Sequence, residues 1–145
     1  MAPEGRLWCL AALLGVAVAV VAVARHRAAT PFVYGFTLSV TTIALVTAGV
    51  SLLVPDSLGA AVTLPVGLPW LGAHFRLDAL AAFFLVVVNL GGATASLFGL
   101  GYGRHEEAPE RVLPFFPAFL AGMNLVVLAD DAFTFLFTWE FMSLS

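Results

Sequence analysis

Residues 79–103 read ALAAFFLVVVNLGGATASLFGLGYG, 25 consecutive residues without a charge. Charged residues make up about a quarter of a soluble domain, so a stretch of this length has no place on a water-exposed surface. Roughly 20 apolar residues cross a hydrocarbon core about 30 Å thick when helical. Helix is the conformation expected, because backbone groups in lipid must be hydrogen-bonded within their own segment. The run therefore predicts a transmembrane helix over about 79–100, and the rest of the chain follows the same pattern.

Of the 145 residues, 61% are hydrophobic and 10% charged, with a mean hydropathy of +1.03. Lipid, rather than water, is the solvent such a composition fits. Further uncharged runs lie at 7–24, 36–54 and 112–129, and one begins at 132 and reaches residue 145. The expected fold is an all-α integral membrane protein in a single membrane region. It has four complete transmembrane helices and an incomplete fifth. The first run differs from a cleavable signal sequence in two ways. Its 18 residues exceed the usual apolar region of about 7–15, and Arg25, His26 and Arg27 follow at once. A net charge of −3 without a basic cluster points away from nucleic acid, and the single cysteine, Cys9, allows no intramolecular disulfide.

Arginine placement gives an orientation. Arg25, Arg27, Arg104 and Arg111 fall on one side of the membrane, Arg6 and Arg76 on the other. The richer side is expected to be cytoplasmic, leaving the N-terminus, the loop 55–77 and Asp130–Asp131 outside. Within that loop Val62, Leu64, Val66 and Leu68 alternate as in a half-buried strand, and Gly67, Leu68 and Pro69 suit a reversal. A short extended or β-hairpin element is expected there, with an irregular apolar loop as the alternative.

Few residues carry chemistry. Glu140 lies eight residues into the fifth run, about 12 Å along a helix and so near mid-membrane. An ionised carboxylate there is costly; it must find a partner or keep its proton, which suits a step in a proton path. The alternative is a glutamate hydrogen-bonded to a neighbouring helix. Ser143 shares its face and could bond the carboxyl or hold a water, while Phe133, Leu136 and Phe137 would exclude bulk water. Asn89 and Asn124 lie inside two other spans, where an interhelical hydrogen bond is the expected role and water-holding in a proton relay the alternative. Gly91, Ala95 and Gly99, with Gly92 and Ser96 beside them, form a small-residue row suited to close helix packing. Asp78 and Asp131 stand where N-caps belong. His26, His74 and His105 form no metal-ligand spacing, and Gly101-Tyr102-Gly103 is no phosphate loop. No catalytic, cofactor-binding or metal site is expected.

Two stretches, LPVGLPWLGAHFRLDALAAFFLVVVNLG (64–91) and LPFFPAFLAGMNLVVLADDAFTFLFTWEFMSLS (113–145), resemble the antiporter-like proton-translocating membrane subunits of respiratory complex I and membrane-bound hydrogenases. The likeness is stronger to component B of hydrogenase 4 and the membrane subunit of formate hydrogenlyase, and covers about Pro65 to Ser145. It implies that Trp139-Glu140 matches the family's W-E motif, whose glutamate takes part in proton translocation, and that 55–77 matches its outer-side hairpin. It implies a multi-pass protein of the cell inner (plasma) membrane, partnered by other membrane subunits and by redox subunits, with no cofactor of its own. Family members have about fourteen spans and use lysines on later ones. This sequence contains no lysine, and it is expected to be the N-terminal part of a larger subunit. A multi-subunit cation/proton antiporter and a small membrane scaffold remain the alternatives.

Overall fold

A computed structural model describes residues 11, 14–15, 29–54, 58–65, 72–103 and 112–145. Helix α1 (Ala29–Leu53) leads into strands β1 (Ala60–Leu64) and β2 (Ala73–Leu77). Helices α2 (Ala79–Tyr102), α3 (Phe115–Leu128) and α4 (Ala132–Leu144) follow. Ala11, Leu14 and Gly15 of the first apolar run are helical. Most of that run lies outside the described residues, as do Arg25, Arg27, Arg104, Arg111 and the tip at Gly67–Pro69.

The second apolar run, expected from Phe36, is helical from Ala29. Pro31 falls in its first turn, where the missing N–H costs no intrahelical bond. Thr30, Val33, Thr37 and Val40, and one heptad further Thr47 and Ser51, are buried along it, at the three-, four- and seven-residue spacings of a packing seam. The hydroxyls on this face mostly turn back to their own helix: Thr41 donates to the Thr37 carbonyl (2.8 Å) and Ser51 to that of Thr47 (2.8 Å).

α2 runs antiparallel to α1. Gly92 lies against Thr41, and Gly99 and Gly103 lie beneath the ring of Tyr34. A Cβ on Gly99 would come within 2.5 Å of that ring. The close-packing row is thus Gly92, Ser96, Gly99 and Gly103, whereas Gly91 and Ala95 are exposed. This corrects the row expected from the sequence. A strict four-residue repeat advances about 40° per step around a helix of 3.6 residues per turn, so Gly91 has left the face that Gly99 occupies.

α1 and α2 contain apolar stretches of 24 residues each, Thr30–Leu53 and Ala79–Tyr102, about 36 Å long and sufficient to cross a bilayer. α3 has 14 residues and α4 has 13, about 20 Å each, so the described helix at 115–128 is shorter than the run at 112–129. Residues 112–114 form a turn, and Pro114 caps α3.

The loop between α1 and α2 is the expected hairpin. β1 and β2 pair antiparallel from Ala60↔Leu77 to Leu64↔Ala73. Strand β1 ends before Pro65, which has no N–H for a further ladder bond. Ala73, Phe75 and Leu77 turn inward and join Ala48, Ala82, Leu85 and Leu128 in one apolar cluster.

The distribution of polarity is inverted relative to a soluble protein. Buried positions include Thr37, Thr41, Asn89, Ser96, Asn124, Thr134 and Thr138, while Phe32, Ile43, Leu53, Leu80, Leu97, Phe98, Leu136 and Leu144 are exposed. Small hydroxyl and amide side chains fill the seams and large apolar ones cover the outside, as helix packing in lipid favours.

Candidate functional site

Asn89 on α2 and Asn124 on α3 are both buried. The Asn89 Nδ2 donates to the Asn124 Oδ1 at 2.7 Å, joining the two helices. Each amide also donates to the carbonyl one turn back, Asn89 to Leu85 (2.9 Å) and Asn124 to Leu120 (2.7 Å). The interhelical bond read from the sequence is present. The Asn89 Oδ1 is buried and has no hydrogen-bond partner among the described residues.

α4 packs on α3 through a close approach at Gly122, where a Cβ would lie 2.9 Å from the Met142 Cα. The packed stripe of α4 contains Thr134 and Thr138, both buried. Glu140 lies two residues beyond Thr138, about 200° around the helix, and is exposed on the opposite face. Two steps along each antiparallel helix from the Gly122–Met142 contact place Glu140 at about the depth of Asn124. The structure thus brings Asn89 and Asn124 together and sets Glu140 at their level, facing away from α3. Phe133 and Phe137 stack on one another at 6.2 Å one and two turns before it. Ser143 does not bond the carboxyl: its hydroxyl donates to the Glu140 backbone carbonyl at 2.9 Å. A serine in a helix readily satisfies itself this way.

A second cluster, not foreseen as a unit, lies at the hairpin end. Asp131 caps α4: its Oδ1 accepts from the Thr134 N–H (2.9 Å) and its Oδ2 from the Thr134 hydroxyl (2.6 Å). The Thr134 oxygen in turn accepts from the His74 N–H (3.0 Å), and the His74 Nδ1 lies 3.2 Å from the Asp131 Oδ2. Arg76 Nε meets Asp130 Oδ1 at 2.8 Å, and the Asp130 N–H donates to the His74 carbonyl (3.0 Å). Bonding to Thr134, with smaller help from the Phe133 N–H and His74, holds the Asp131 carboxyl below the usual aspartate range. Asp78 caps α2 likewise, accepting from Ala81 N at 2.7 Å. Both caps were legible. The pairing with His74 and Arg76 was not, although two polar residues spaced by two in a strand share one face. Among the described residues, no three His, Cys, Asp or Glu side chains stand together as metal ligands.

No protein-family model matches the chain. Over 72 residues, 48% of its length, it is 36% identical to hydrogenase-4 component B of Escherichia coli (strain K12). The likeness is partial. It spans 11% of that relative's length.

Proposed function

We infer that the chain is a membrane-embedded component of a hydrogenase-like or complex I-like oxidoreductase, in which Glu140 carries protons across the bilayer. The observation that supports this most is the placement of Glu140. Among the described residues, a carboxylate stands on an uncovered face of an apolar helix, at the level of a buried amide pair, in a bundle whose polarity is inverted. The partial similarity to a hydrogenase component supports the assembly. In this reading α3 belongs to a further span beside α1 and α2 and α4 to an incomplete one, the N-terminus and the hairpin face outward, and electrons pass through partner subunits. Glu140 takes up and releases a proton, Phe133 and Phe137 keep bulk water from it, and Asn89 and Asn124 fix the depth of the helices around it. Asn89 keeps a spare acceptor that a relay water would use.

Purification of the tagged whole protein from its native membrane tests the assembly. Redox subunits of hydrogenase type are expected to co-purify in stoichiometric amount. Recovery with a set of small antiporter subunits would replace this reading with a cation/proton antiporter, and recovery alone would leave a scaffold.

A further inference from the structure

We propose that the crevice at the foot of α2 binds a phospholipid whose headgroup carries both a phosphate and a primary ammonium, as phosphatidylethanolamine does. The crevice is a cavity of about 200 Å³ lined by the charged Arg76, Asp78 and Asp130 and by the apolar Leu80, Phe84 and Val127; with α2 as a span, the charged residues form its mouth. It lies where the 24-residue apolar helix α2 begins, at the level where hydrocarbon gives way to headgroups.

The charges select the ligand. Arg76 uses its Nε on Asp130, and among the described residues its two terminal nitrogens have no further partner. A guanidinium fork of this kind accepts a phosphate well. Asp78 engages one oxygen on the Ala81 N–H, leaving the other available to a donor. One cation against two carboxylates gives the mouth a charge of −1, which repels a headgroup that is only anionic. A phosphate and an ammonium two carbons apart satisfy both signs at once. A primary ammonium offers three N–H donors to the carboxylates, whereas the trimethylated group of phosphatidylcholine offers none. Below the mouth Leu80 and Phe84 are 64% and 46% exposed and provide an apolar track for the acyl chains.

The inference rests on the reading of α2 as a membrane span, and its failure is distinguishable from failure of that reading. A protein that is not embedded would leave the membrane without detergent, whatever lipid it prefers. The whole protein, purified in mild detergent, is exchanged into vesicles of phosphatidylethanolamine, phosphatidylcholine or phosphatidylglycerol, and retained lipid is counted by native mass spectrometry. Phosphatidylethanolamine is expected to be retained about tenfold over the other two, the ratio that one charge-assisted hydrogen bond supplies. Asp78→Ser keeps a good N-cap while removing the charge, and should lower retention to the phosphatidylcholine level. Arg76→Gln should lower it further. Equal retention of the three lipids by the unaltered protein would overturn the proposal, as would an undiminished preference in folded Asp78→Ser.

Discussion

At Gly122 a single hydrogen atom in place of a side chain lets α3 touch the backbone of α4. Gly122→Ala would put a Cβ 2.9 Å from both the Cα and the Cβ of Met142, and backbone cannot yield as a side-chain tip can. A loss of about 1–3 kcal/mol is expected, read as a lowered midpoint of thermal unfolding in detergent. Gly91→Ala is the contrast. Among the described residues a Cβ there would meet no neighbouring element within 4 Å, so helix propensity alone acts and stability should hold or rise by up to about 1 kcal/mol. Equal effects at the two glycines would contradict the packing described. Asn124→Leu removes the bond to Asn89 and should cost about 1 kcal/mol or less in a bilayer. The amide pair was legible because polar residues are scarce inside apolar runs and need partners. The choice between Gly91 and Gly92 was not, because which face of α2 meets α1 depends on the neighbouring helix.

At the scale of elements, the joint between the hairpin and α4 depends on Asp131. Its carboxyl is held below the ordinary aspartate range by Thr134, so it contributes stability as the ionised form. That contribution is fully present above the unfolded value of about 3.9 and is lost as pH falls through the lower folded value. Hydrogen exchange at the amides of β2 should therefore quicken as pH drops below about 4 relative to the intrinsic rate, and Asp131→Asn should abolish that pH dependence. A dependence that survives in Asp131→Asn would place its origin elsewhere. Thr134→Val tests the same joint from the other side. It leaves the His74 N–H without its acceptor and should cost about 1–3 kcal/mol locally. The strand pattern announced β1 as far as Leu64, since Val62 and Leu64 alternate with polar or small residues. β2 was hidden because its alternation, Ala73, Phe75 and Leu77 against His74 and Arg76, sits directly before an apolar helix. The early start of α1 was hidden by Pro31, which reads as a breaker but is harmless in a first turn. The buried hydroxyl seam of α1 was legible in principle at Thr30, Thr37, Thr47 and Ser51, yet hydropathy counting treats threonine as neutral and passes over it.

Across the whole molecule, the hairpin and the α3–α4 turn are joined by His74–Asp131 and Arg76–Asp130, so they share one end of the bundle, as the loop assignment required. Composition alone indicated lipid as the solvent; the exposed Leu, Phe and Ile beside buried Thr, Ser and Asn give that reading its structural form. Side of the membrane is a separate matter. Single cysteines placed in the hairpin and in 104–111, after Cys9 is replaced, should be labelled from opposite sides of intact cells, the hairpin from outside. Labelling of 104–111 from outside would reverse the orientation. Glu140 was legible as a lone acid in an apolar run, while its direction, away from α3, required the Gly122–Met142 contact. Proton carriage by this carboxyl is the proposed function, and it can be measured directly. In the whole protein assembled with its partners in sealed vesicles, Glu140→Gln keeps the shape and the hydrogen-bonding capacity while removing the titratable group. Proton translocation per assembled complex should fall by at least about a hundredfold, the lower end of what a positioned proton-transfer group contributes, with assembly intact. Translocation at the unaltered rate by a fully assembled Glu140→Gln protein would contradict it.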